Sequence, residues 1–347
     1  MKLFSKLFNS AVFLYYLLVL TAFSVSSDYD IFVNENKNLA EQLEMIPPEA
    51  GIVTLFVTSD VVDRELSLPF DRGITQLKIV PAEEFSTVSL QELERICANG
   101  IPLIVGSGVI LENASVYGGS CTDGGEVTLQ TSSVTIEGAV GFVFGGGFAE
   151  NGAGSFVDES SVTLTKTGLV YFEIFGGGHA YGSGSRVSAK NTTLKIYGTS
   201  DYVLGGGFAE DGGYSECENT YVETAEGSSI PVALFTGGSA SGEGSLSIVE
   251  SAKGIVAGKA NWAFSGDFAF GGGKTELKLA SRLEILSTGE SEIAYMGSFA
   301  SDEGSEAIVN TAELMNCGDV SRIVQEGQAA DNGKTVTTVK ALFPCVP

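Results

Sequence analysis

His179 is the only histidine in the 347-residue chain, so any chemistry that needs an imidazole rests on it. A Ser-His-Asp triad or a multi-histidine metal site would depend on this one residue. It stands where other copies of a repeated motif carry Phe148, Phe208, Phe268 and Phe299, which reads first as a packing position. Acids are more plentiful. Glu150, Glu210, Asp211, Glu243, Asp302 and Glu303 recur in turn-like segments. Converging on one groove beside an Arg or Lys, such carboxylates would suit a polysaccharide lyase or glycoside hydrolase. Spread along a stack, they form an acidic edge of solvated turns, with weak Ca2+ binding as the only cofactor chemistry. Their regular recurrence predicts the edge, so no catalytic, cofactor-binding or metal residue is assigned.

Two short motifs resemble known chemistry without its context. Gly271-Gly272-Gly273-Lys274-Thr275 ends like a phosphate loop, but Phe268 stands where the first glycine belongs, and Glu276-Leu277-Lys278-Leu279 alternates like a strand where a helix should follow. Lys166-Thr167-Gly168 echoes one motif of serine β-lactamases and lacks its partner motifs. The five cysteines form no C-x-x-C pair, which argues against zinc and thioredoxin-type sites. Cys97 with Cys121, and Cys317 with Cys345, are candidate disulfides because each pair is about one repeat apart, although sequence does not fix the connectivity; Cys217 is then the odd thiol. Asn113-Ala114-Ser115 and Asn191-Thr192-Thr193 are candidate glycosylation sequons in a eukaryotic secretory pathway.

The elements that must carry these residues are repeats. Phe144-Gly145-Gly146-Gly147-Phe148-Ala149 returns as Phe175-Gly176-Gly177-Gly178-His179-Ala180 and Leu204-Gly205-Gly206-Gly207-Phe208-Ala209, then in weaker form near Phe235, Phe264, Tyr295 and Val324. An early copy begins at Tyr117. From 144 onward the spacing alternates 31 and 29 residues. Between copies lie turns rich in Gly, Asp, Asn and Ser, and alternating stretches such as Ser161-Val162-Thr163-Leu164-Thr165. Period-two alternation with β-branched residues means strand, and a fixed long period means stacked units sharing one core. The expectation is an all-β parallel β-helix, or β-solenoid, of seven to eight coils of about 30 residues, with the aromatic position as an inward ladder. An antiparallel repeat stack is the alternative, because a 31/29 alternation could place successive units on different sides.

Before the repeats the pattern differs. Ser89-Leu90-Gln91-Glu92 fits a capping box opening a short helix to Asn99-Gly100, and Asn38 to Met45 suggests another. Gly51–Val57 and Ile74–Val80 read as strands. Residues 28–105 are therefore expected to form an N-terminal cap with the first irregular coils, 106–340 the Gly-rich solenoid, and 341–347 a tail. Residues 1–27 have the order of a signal peptide: Lys2 and Lys6, the 13-residue apolar run Ala11–Phe23, then small residues. The run is too short to span a bilayer, which takes about 18 to 20 residues. A net charge of −24 opposes nucleic acid and anionic lipid.

Ile101-Pro102-Leu103-Ile104-Val105-Gly106-Ser107-Gly108-Val109, Ala114-Ser115-Val116-Tyr117-Gly118-Gly119 and the aromatic-Gly-Gly-Gly-x-Ala copies resemble Gly-rich β-helix surface proteins of the adhesin-like kind, over roughly residues 75–340. The resemblance implies an exported, cell-surface or matrix protein that is not an enzyme, although no wall anchor is visible. Expected partners are extracellular glycan, matrix or protein, met through exposed sheet faces or acidic turns. A carbohydrate-active β-helix enzyme and a self-assembling structural protein remain the alternatives.

Overall fold

A chain whose apolar residues alternate with polar ones in runs of six to eleven residues buries one face of each run, and corners of Gly, Asn and Asp let the next run begin. The computed structural model describes residues 27–33, 39–47, 50–58, 63–69, 73–84, 86–343 and 345. Apart from Ser27, the expected signal segment lies outside these residues. The chain winds as a parallel β-solenoid of about nine turns, ~29 residues each. Its strands form sheets of twelve, eleven and eight strands. One coil shows the plan: an eleven-residue strand, Gly154–Leu164, on the long face; Leu169–Phe175 on the medium face; His179–Tyr181 on the short face. Equivalent strands pair in parallel with the coils above and below, so the antiparallel alternative does not apply. The strands expected at 51–57 and 74–80 are present as Ala50–Val57 and Gln76–Pro81 and already belong to the long face, so the stack starts earlier than the repeats imply.

Corner length explains the 31/29 alternation. The corner after the long strand has four residues at Thr165–Gly168, Ala225–Ser228 and Leu286–Gly289, and two at Tyr197–Gly198, Ala257–Gly258 and Cys317–Gly318. The corner before the long strand runs the opposite way, with four residues at Gly182–Ser185 and Gly242–Ser245 and three at Asp211–Gly213 and Gly271–Gly273. One bulge residue, in the medium strand or in the twelve-residue strand Lys274–Ile285, completes the difference. Every coil faces the same way.

The aromatic ladder is external, which corrects the inward placement. Val116, Val143, Ile174, Val203 and Leu234 point into the main core. The next residue along each strand, Tyr117, Phe144, Phe175, Leu204 or Phe235, belongs to a second cluster. Side chains alternate across a strand, so both residues of such a pair cannot face inward. The outer residues are nonetheless buried, because the chain bends at the glycine corner and brings the first residue of the short strand against them. Phe144 and Phe175 stack at 4.9 Å, Phe235 and Phe264 at 4.6 Å, and Phe264 and Tyr295 at 4.2 Å. The result is a packed aromatic seam outside the solenoid, parallel to its axis.

Apart from Gly297, the glycines at this corner keep negative φ; the left-handed glycines lie at other turns, such as Gly152 and Gly212. Close approach is what excludes a side chain. A Cβ on Gly146 would lie 2.6 Å from Gly178 N, and one on Gly145 would lie 2.2 Å from Ser160 Oγ. The carbonyl of the first corner residue is buried and is satisfied by a hydroxyl from the long face. Ser132 donates to Gly145 O, Ser160 to Gly176 O, Thr192 to Gly205 O and Thr220 to Thr236 O, all at 2.6 Å.

The ends differ. A helix, Leu39–Glu44, packs near the first strand, with Leu43 and Ile46 in the core. The helix expected from Ser89 does not form. Val88–Ser89 is instead a strand paired with Val109–Ile110, and Leu90 N donates to Ile110 O at 2.9 Å. Pairing with the next coil satisfies these backbone groups over several turns, which outweighs a local cap. At the other end Lys340 continues the inward column of Ser132, Ser160, Thr192, Thr220, Ala252, Ser281 and Ala312. It pairs with Glu326 at 3.3 Å, and Thr335 and Thr337 follow the inward Ala307 and Val309. Thr337 thus ends a column that is apolar from Val157 to Val309, and Lys340 puts a charge at the last strand, while Leu342 continues the inward column of Leu314 and is exposed.

Candidate functional site

The seam gathers most of the reactive groups. The short strand of each coil points its first and third residues outward and its alanine inward: Ala149, Ala180 and Ala209 are fully buried. This rule puts His179 in the seam. It also moves Glu150 and Glu210 away from the expected acidic edge, because Glu210 is the third residue of Phe208–Glu210 and Glu150 directly follows Phe148–Ala149. His179 Nε2 lies 3.0 Å from Glu210 Oε2, and its Nδ1 lies 3.4 Å from the Tyr117 hydroxyl. The rings of Phe144 and Phe208 stack on the imidazole at 5.3 and 4.8 Å. Burial holds the Tyr117 phenol well above its ordinary range, so it serves as a neutral hydrogen-bonding group.

Glu173 completes the cluster. It occupies the outward medium-face position held by Tyr202 in the next coil. A bulge after Val170 displaces it from strict register, and its neighbour Phe172 stacks on Phe142 at 4.8 Å. Burial first, and then the charge of Glu210, push its carboxyl up to about 7. Among the described residues it has no hydrogen-bond or ion-pair partner. Three medium strands toward the N-terminus, Arg95 sits 3.8 Å from Glu150 and lies over the Phe148 ring at 4.5 Å. Three carboxylates and an arginine thus share the seam, but Arg95 is engaged by Glu150 and Glu210 by His179. Sequence reasoning singled out His179, Glu150 and Glu210 and missed Glu173, Arg95 and the Tyr117 hydroxyl. An acid in a column that also holds Phe142, Tyr202, Ala233, Trp262 and Ile293 was the signal for Glu173, and it emerges only once the bulge sets the register.

Other outer surfaces are concave as well, among them one on the long face and one on the turn edge. The long face bends at unpaired residues such as Asp158 and Lys190, and a cavity of about 350 Å³ opens there, lined by Asn191, Thr193, Asn219, Tyr221, Ser251 and Lys253. Asn219 donates to Asn191 Oδ1 at 2.9 Å, and Asn191 donates to Glu159 at 2.7 Å. The turn edge keeps Asp211, Glu243, Asp302 and Glu303; a cavity of about 650 Å³ there is lined by Glu243, Glu303, Lys274 and glycine backbone. Among the described residues no group of three His, Cys, Asp or Glu residues could hold a metal ion, and no helix is long and apolar enough to cross a membrane.

The remaining sequence candidates divide by environment. Asn113 is exposed on the outer side of Val109–Tyr117. Asn191 is tied into the amide row above, and the hydroxyl of its neighbour Thr192 is buried against Gly205 O. Cys97 is bonded to Cys121 and Cys317 to Cys345, with Cα separations of 5.7 and 5.1 Å. Cys217 is a buried free thiol, pushed up to about 12 by burial. Gly271–Gly273 and Lys166-Thr167-Gly168 are solenoid corners, each leading into a strand. Comparison with protein-family models, with curated proteins and with solved structures finds no match to this chain.

Proposed function

We propose that this chain is an exported, cell-surface or matrix β-solenoid that works by display and binding, without catalysis, and that extracellular glycan or protein is its partner. The long-face cavity carries this reading. Amide, hydroxyl and ammonium groups from three successive coils face outward there at the ~4.8 Å strand spacing. Such a row offers a linear polar ligand one donor or acceptor per coil. It is backed by a rigid sheet, so little conformational entropy is lost on binding. The adhesin-like resemblance of the Gly-rich repeats supports the same view, as does a signal-like leader. A glycan array probed with the mature chain and with Asn219→Ala and Tyr221→Ala tests it. The expected result is binding by the parent that falls at least tenfold in either variant. A parent that binds no glycan, or variants that bind as well as the parent, would remove the long face from consideration.

A carbohydrate-active enzyme is the second reading, favoured by one observation. Glu173 and Glu210 are neighbouring carboxylates whose surroundings differ, one raised to about 7 and the other held by His179, and unequal carboxylates are how general acid and base are set apart. Reducing-end release and unsaturated-product formation, measured across neutral and acidic polysaccharides with the parent and Glu173→Gln, decide it. Turnover lost in the variant would establish the enzyme.

A further inference from the structure

The seam offers a second kind of binding chemistry that the long face lacks. Glu173 is partly buried and faces outward, and among the described residues it has no partner and no cation reaches it: Arg95 is held by Glu150 and Phe148. Beside it the bulge leaves Phe172 44% exposed, with one ring face against Phe142. Tyr181, on the short strand of the same coil, is 41% exposed. A carboxylate flanked by exposed aromatic surface is complementary to one kind of group: a cation on an apolar stem, whose methylenes lie on the rings while its head meets the acid. The net charge of −24 draws basic partners toward the chain.

We propose that Glu173, Phe172 and Tyr181 form a subsite for a lysine side chain of a basic partner protein. The proposal deepens the protein-binding part of the reading above and rests on it. The glycan part stands on Asn219 and Tyr221, so the two can fail separately. A lysine meets this site with a compact ammonium on the one carboxylate while its four-carbon stem lies along the ring surface. The groups around Glu173 fix the sign of the pH effect. Tyr202 lies beside it on the next medium strand, and Glu210 acts on it from the short face, where that residue is bonded to His179 and paired in register with Tyr181; Glu150 and Arg95 pair with each other. Burial, and after it the charge of Glu210, push this carboxyl up to about 7, and only the ionised form attracts an ammonium. A lysine keeps its charge throughout this range, so binding strengthens as pH rises.

A tetralysine peptide and the same peptide acetylated on every Nε are the probes, titrated into the full chain by calorimetry at pH 6 and pH 8. The parent is expected to bind tetralysine roughly tenfold more tightly at pH 8 and to ignore the acetylated peptide. Glu173→Gln should lose most of the affinity and all of the pH dependence, whereas Glu303→Gln, on the distant turn edge, should retain both. Circular dichroism confirms that each variant is folded. Absence of tetralysine binding, equal binding of the two peptides, equal losses in the two variants, or pH-independent binding would each overturn the subsite; equal losses would show that bulk charge alone attracts the peptide.

Discussion

Two carboxylic acids are placed where charge is costly, and they make the fold sensitive to pH. Asp267 replaces the third corner glycine of its coil. Its Oδ1 accepts the Gly238 N–H at 2.9 Å, while Oδ2 is buried without a partner. Burial pushes its carboxyl up to about 8, against the smaller opposing effect of that N–H. Glu173 stands near 7 for similar reasons. Both groups hold a proton more tightly folded than unfolded, so their contribution to stability is complete below the ordinary carboxylate range. It is lost as pH rises through about 7 and about 8. Urea titrations between pH 5 and pH 9 should show stability declining by on the order of a few kcal/mol. Asp267→Asn and Glu173→Gln should each flatten part of that decline; slopes like the parent's in both would show that the carboxyls are already accommodated. At this scale the sequence was only partly legible. The uniqueness of His179 and its place among phenylalanines were visible. Its contacts with Glu210 and Tyr117 join side chains 31 and 62 residues apart, and no local pattern announces such a meeting.

The glycine corner is the element in which sequence and fold correspond most directly. The repeat was visible as a marker of architecture, and the stacking of like corners is what it encodes. Gly146→Val and Gly206→Val place methyls into the backbone of the next coil, where a Cβ alone would already lie 2.6 and 2.8 Å from backbone atoms. Each should destabilise the chain by about 3 kcal/mol or more, in line with overpacking of tight cores, as read by thermal unfolding; parent-like melting would mean that the corners can separate. Thr192→Ala tests the hydroxyl that serves Gly205 O and should cost about 1 kcal/mol, the usual deficit for a buried group left unpaired. What the strand patterns did not convey was which side of the corner the aromatic occupies. Period two fixes that Ile174 and Phe175 face opposite ways, but not which way is in. The bend at the glycines decides that, and the bend is a property of the stacked corner. The helix expected at Ser89 went astray for a related reason: Leu90, Leu93 and Ile96 are all buried, and their three-residue spacing suits a tight coil as well as a helix.

Over the whole molecule the solenoid is closed at both ends by different means. Cys97–Cys121 joins the medium and short faces at the start of the seam, and Cys317–Cys345 ties down the tail. On the last strand Lys340 pairs with the exposed Glu326 beside the exposed Leu342, and an inward charge at a terminal strand discourages another copy from continuing the sheet. This arrangement argues against end-to-end self-assembly. Lys340→Leu combined with Glu326→Leu should promote association through that end, seen as larger species in sedimentation velocity at micromolar concentration. A variant as monodisperse as the parent would show that the charges do not govern it.

The alternating corners have a consequence for how such a chain can change length. After the long strand a four-residue corner always stacks on a two-residue corner, so deleting a single coil would set two like corners against each other and spoil their fit. Removing residues 176–235, which span one coil of each kind from Phe175 to Phe235, would leave every corner beside the neighbour it has now. Growth and shrinkage of this molecule are therefore quantised in pairs of coils, and duplications preserved in its ancestry should carry two coils at a time.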